Sequence, residues 1–103
     1  MVRRHRSWRE GLAERLRDPE YARGYLLALV EEGLTVQAAL ADVIRTMGVK
    51  EFAAKVKMPS SNVLRAINLN HNPTQDTLDR LLKPFSLRLS LAEIPKRKPR
   101  RAA

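Results

Sequence analysis

Cysteine is absent from the 103 residues, which excludes a disulfide framework and any cysteine-ligated metal site. Histidine appears only as His5 and His71, too few for a histidine-rich metal centre. Aromatic residues make up 5% of the chain, so aliphatic side chains must build most of the core. Glycine stands isolated at 11, 24, 33 and 48, which leaves no glycine-rich phosphate loop. No apolar run approaches the roughly 20 residues that a membrane-spanning helix needs. The basic opening MVRRHRSWRE lacks the apolar stretch of a secretory signal, so a cytoplasmic protein is expected. Paired catalytic acids and a Ser/His/Asp grouping are also missing as recognisable patterns. Neither an enzyme nor a cofactor is expected.

What the chain has is positive charge. Lysine and arginine number 20 against 11 acids, for a net charge of +9. Residues 1–9 hold four arginines and residues 95–103 five basic residues, with no acid in either segment. The two ends therefore carry the whole excess. Between them, residues 10–44 have net charge −4 and residues 45–94 have +4. A basic N-terminal arm (1–9), an acidic first half, a basic second half and a basic, disordered tail (95–103) suggest two partners, one of them nucleic acid.

Apolar spacing and capping residues predict an all-α domain over 10–94, with N-terminal helices in 10–34 and a further helical core in 35–86. Ser7-x-x-Glu10 matches a capping box and opens a helix over 8–17, with Trp8, Leu12 and Leu16 as its apolar stripe. Asp18-Pro19 starts a second helix, which Gly33 closes. Its inward stripe is Ala22, Tyr25, Leu26, Leu29 and Val30. Thr35 caps a third helix over 36–47, burying Ala39, Leu40, Val43, Ile44 and Met47, and Gly48 ends it. Further helices are predicted at 50–56, 60–68 and 75–83, the last capped by Thr74 and stopped by Pro84. The alternation Leu87-Arg88-Leu89-Ser90-Leu91 predicts one short C-terminal β-strand over 87–91. A lone strand lacks a partner within its chain, so Leu87, Leu89 and Leu91 are candidate dimer-interface residues.

The segment 49–83 places a short helix, a tight turn and a second short helix in succession. This is a helix-turn-helix layout, whose second helix enters the major groove of DNA. The stretch FAAKVKMPSSNVLRAINLNHNPTQDTLDRLL resembles the Cro/CI-type (XRE, lambda-repressor-like) helix-turn-helix. The sequel LLKPFSLRLSL resembles one subset, the HigA-like antitoxins of bacterial toxin–antitoxin modules. That subset carries N-P-x-x-D-T-L and G-L-R-L-S segments, matched here by Asn72–Leu78 and Ser86–Ser90. Two positions depart from it. Pro59 stands where the family puts a serine N-cap, so Ser60 is expected to take over the capping. Ser86 stands where the family has glycine.

Turning Val63 and Ile67 inward puts Ser61, Asn62, Arg65 and Asn68 outward, with Ser60 at the helix tip. Arg65 has the fork that matches guanine O6 and N7, and Asn62 can pair with adenine N6 and N7. Resemblance adds Ser60, Ser61 and Leu64 to the base-facing set; Leu64 can meet a thymine methyl. Lys50, Lys55, Lys57 and Asn68 are the phosphate candidates. Resemblance also implies an operon-repressing homodimer on a palindromic double-stranded operator. It further implies neutralisation of a small basic toxin of RelE/HigB-like or ParE-like type. The acids Glu20, Glu31, Glu32 and Asp42 are the candidates for facing that toxin. A free-standing repressor without a toxin is the alternative.

Overall fold

The computed structural model describes residues 2–95, with side chains from Trp8 onward. Arg3, Arg4 and Arg6 are thus placed only by their backbone. The expected disordered tail lies, apart from Pro95, outside the described residues.

The domain is all-α. Six helices follow one another: α1 Val2–Arg15, α2 Pro19–Glu31, α3 Val36–Met47, α4 Val49–Val56, α5 Ser60–Ala66 and α6 Gln75–Leu82, then a single 3₁₀ turn, Lys83–Phe85. No helix among the described residues is long and apolar enough to cross a membrane.

Local chemistry sets most boundaries. Asp18 accepts the Glu20 N–H at 3.1 Å, with Pro19 opening α2. Thr35 accepts the Ala38 N–H at 3.1 Å, and Thr74 the Thr77 N–H at 3.1 Å. Each cap gives one orphan donor of the first turn a partner. Gly33 and Gly48 take φ of +113° and +111°, a range that favours glycine, and so release the chain from α2 and α3.

The expected start of the first helix is corrected. Helix α1 begins at Val2, so Ser7 lies inside it and cannot cap its N-terminus. No proline or glycine interrupts residues 2–10, and arginine and glutamate propagate a helix well. The basic N-terminal arm is therefore helical from Val2. Leu12 and Leu16 are buried as expected, but Trp8 is 61% exposed rather than an anchor.

Helix α3 is central. It packs against α1, α2, α4 and α6. Its stripe Ala39, Leu40, Val43, Ile44 and Met47 is buried, and Ala41 joins it. Phe52 of α4 stacks on Phe85 of the 3₁₀ turn, ring centroids 5.9 Å apart, and both are buried. Val63, Ala66 and Ile67 close the core under α5.

The C-terminal strand is also corrected: residues 86–95 contain no strand. The alternation itself is real, because Leu87 and Leu89 pack against the core while Arg88 and Ser90 are exposed. A strand needs a ladder partner, and among the described residues there is none. The Leu89 N–H instead donates to Asp79 Oδ1 at 2.7 Å. Leu87 and Leu89 thus cover their own domain, and only Leu91 is fully exposed.

Ser86, where the resembled family carries glycine, sits at φ 59°, ψ 39°. That left-handed conformation costs an L-residue about 1–2 kcal/mol. Ser86→Gly is therefore expected to raise stability by up to about 1 kcal/mol after the entropy cost of glycine. Urea unfolding checks this, with Ser90→Gly as the control that brings no gain.

Candidate nucleic-acid interface

Helix α5 presents two different faces. Val63 and Ala66 are buried, while Ser61, Asn62, Leu64 and Arg65 are exposed and Ser60 is half-buried at the tip. The side chains of Ser60, Ser61, Asn62 and Arg65 hydrogen-bond to no other described residue. The structure thus places the five base-facing candidates on one small helix, with free donors and acceptors outward.

The N-terminal cap differs from expectation. Pro59 occupies the cap position at φ −61°, ψ 142°, and no side chain caps α5. Ser60 is already the first helical residue, so its hydroxyl cannot reach forward as a cap. The Pro59 carbonyl accepts from the Asn62 and Val63 N–H groups at 3.0 and 3.2 Å and closes the first turn.

Both ends of α5 are held from outside. Before it, Lys57 ends α4 in the left-handed region (φ 57°, ψ 50°). The Met58 N–H donates back to the Ala53 carbonyl at 3.0 Å. This tight reversal brings α5 against α4, where Ala53 is buried and small enough to let the helices approach. Arg80 of α6 then donates from Nη2 to the Lys57 carbonyl at 3.3 Å. After α5, Gln37 of α3 aims its Nε2 at three backbone carbonyls: Ala66 at 2.8 Å, Asn68 at 3.0 Å and His71 at 3.1 Å. An amide has two hydrogens, so at least one is shared. The arrangement ties the last carbonyl of α5, Ala66, to two carbonyls of the following loop, and the Asn68 carbonyl also accepts the His71 N–H at 2.9 Å.

Neither Arg80 nor Gln37 was visible in the sequence pattern. Their partners lie 23 to 34 positions away, and no periodicity reports a long-range hydrogen bond.

Asn68 departs from its expected place. Helix α5 ends at Ala66, and Asn68 sits in the following turn. Its Oδ1 accepts the Asn70 N–H at 2.9 Å, so it shapes the loop instead of extending the helix face. Among the phosphate candidates, Lys55 and Lys57 line one open cleft together with Arg80 and Lys83. Lys50 is exposed in the first turn of α4, outside that cleft. A second open cleft, of about 400 Å³, lies between α5 and α6 and is bordered by Asn62, Arg65, His71 and Arg80. Arg80 borders both, so cationic side chains run from Lys83 past the turn to the outward face of α5.

The acidic candidates fall in two places: Glu20 opens α2, whereas Glu32 and Asp42 both lie near Tyr25. Glu20 lies 3.8 Å from Arg23 on its own helix. Asp42 shares a cleft with Arg9 and Arg45. Glu31 and Glu32 stand exposed at the end of α2. Burial raises the Tyr25 phenol above its ordinary range, and the neighbouring Asp42 carboxylate adds to the effect.

The chain matches no protein-family model, no curated protein and no solved structure.

Gln37→Ala should leave the Ala66 and His71 carbonyls without their partner, while the Asn68 carbonyl keeps the His71 N–H at 2.9 Å. The expected loss is about 1–3 kcal/mol, read by denaturant unfolding. Faster amide exchange at Ile67 and His71 should accompany it. Unchanged exchange there would show that α3 does not hold this end.

Proposed function

We propose that this chain is a sequence-specific DNA-binding protein that lays α5 in the major groove. It acts in the cytoplasm as a homodimer on a palindromic operator. As its resemblance to HigA-like antitoxins implies, it also represses its own operon and neutralises a small basic toxin. The observation that carries the DNA-binding reading is the outward face of α5. Ser61, Asn62 and Arg65 are exposed and unengaged there, on a helix whose other face is buried and whose two ends are fixed by Arg80 and Gln37. A rigidly held helix with free polar side chains reads bases without first having to order itself.

The roles follow from chemistry. Arg65 offers two parallel donors to guanine O6 and N7, and Asn62 a donor and an acceptor to adenine. Ser60 and Ser61 serve phosphates or base edges, and Leu64 a thymine methyl. Lys55 and Lys57, with Arg80 and Lys83 beside them, neutralise the backbone, and Lys50 adds a further cation on α4. The exposed Val30 and Leu91 support self-association.

One observation favours a free-standing repressor without a toxin. Glu20 and Asp42 have basic neighbours, which leaves the adjacent Glu31 and Glu32 as the toxin-facing candidates without an ion pair or a shared cationic cleft among the described residues. Co-purification of the adjacent gene's product separates the two readings.

Gel shifts on the DNA upstream of the coding region, run across salt concentrations, test DNA binding. Arg65→Ala should cost about 1–3 kcal/mol and relax specificity at one base pair. Lys57→Ala should weaken operator and random DNA alike and lower the log–log salt slope by about 0.9. Equal loss on both DNAs for Arg65→Ala would make Arg65 a phosphate contact. Absence of any shift at low salt would overturn the reading.

A further inference from the structure

On the side of α1, α2 and α3 lies a cleft of about 480 Å³ that the DNA-binding reading leaves unused. Its volume is in the range of about 300–1,000 Å³ typical of small-molecule sites. Leu12 is buried at its base. One wall is Trp8, whose indole is 61% exposed although large aromatics are ordinarily covered. Arg9 and Arg45 border the same space, and neither pairs with an acid among the described residues. Tyr25, Asp42 and Thr46 complete it.

We propose that this cleft binds a small planar aromatic anion, of the aromatic carboxylate or sulfonate class. The ring stacks on the Trp8 indole and covers Leu12. The anionic group meets Arg9 and Arg45, whose guanidiniums form charge-assisted, fork-shaped contacts with carboxylates. Where the ring carries an N–H or O–H, as in an anilino group, Asp42 accepts from it. The basic C-terminal segment Lys96–Arg101 is a poor occupant, because it carries the same sign as both arginines. The site is independent of DNA binding and stands or falls separately.

Trp8 is the sole tryptophan, so excitation at that residue reports occupancy. The probe is 1-anilinonaphthalene-8-sulfonate, titrated into the full chain, with benzoate as a non-fluorescent competitor. Saturable binding with quenching of Trp8 emission and displacement by benzoate is expected. Arg45→Gln should weaken binding at least tenfold. Arg45 is exposed, and an unchanged circular-dichroism melt confirms that the variant folds. Leu27→Ser, in the separate apolar cleft against Leu87 and Leu89, should leave the affinity unchanged. Three results would overturn the proposal: unaltered binding in Arg45→Gln, loss of binding in Leu27→Ser, or displacement by a single-stranded oligonucleotide but not by benzoate.

Discussion

Burial of α3 is the constraint on which the rest of the structure depends. Its 12 residues touch α1, α2, α4 and α6, and its apolar stripe supplies much of the core. With aromatics so scarce, that core is filled by branched and small aliphatic side chains, whose close packing penalises any change of volume. Truncating Ile44 or Leu40 would leave a void with neighbours on every side. The same helix places Gln37 under the end of α5. A seven-residue helix has little stability of its own; α5 owes its fixed direction to the buried Val63 and Ala66 and to the clamps at its ends.

Element boundaries were legible where a side chain caps or a glycine terminates. Asp18, Thr35, Gly48 and Thr74 each act locally, within four residues, and so appear in the sequence as signals. The all-α class and the outward set on α5 followed from 3.6-residue spacing. Three features were misread for physical reasons. Ser7-x-x-Glu10 has the residues of a capping box, but nothing upstream stops the helix from running through it. Residues 87–91 alternate like a strand, yet the Leu87 N–H is taken by the Leu82 carbonyl and the Leu89 N–H by Asp79, and a pattern of side chains says nothing about ladder partners. Trp8 falls on the stripe of Leu12 and Leu16 but borders an open cleft with Tyr25 of α2 and Arg45 of α3 and is left largely uncovered. The contacts that shape the candidate interface, Gln37 to the 66–71 loop and Arg80 to Lys57, are long-range and left no local trace.

The charge asymmetry of the sequence becomes a spatial division in the fold. Lys55, Lys57, Arg80 and Lys83 gather beside the turn that leads into α5, whereas Glu32 and Asp42 lie near Tyr25. The surface ion pair Arg17–Glu51, at 3.4 Å, is exposed and worth at most about 1 kcal/mol; it joins the two halves without deciding their arrangement. Helix α3 contributes to both proposed sites. Gln37 in its first turn holds α5, and Arg45, about 12 Å further along the axis, borders the Trp8 cleft.

The central claim is that α5 reads bases in the major groove. Methylation interference on the upstream DNA tests it most directly, because dimethyl sulfate marks guanine N7 in the major groove and adenine N3 in the minor groove. The account predicts that methylation of a few guanines, symmetrically disposed in two half-sites about one helical turn apart, blocks binding. Interference confined to adenine N3, or binding indifferent to methylation of either groove, would contradict it.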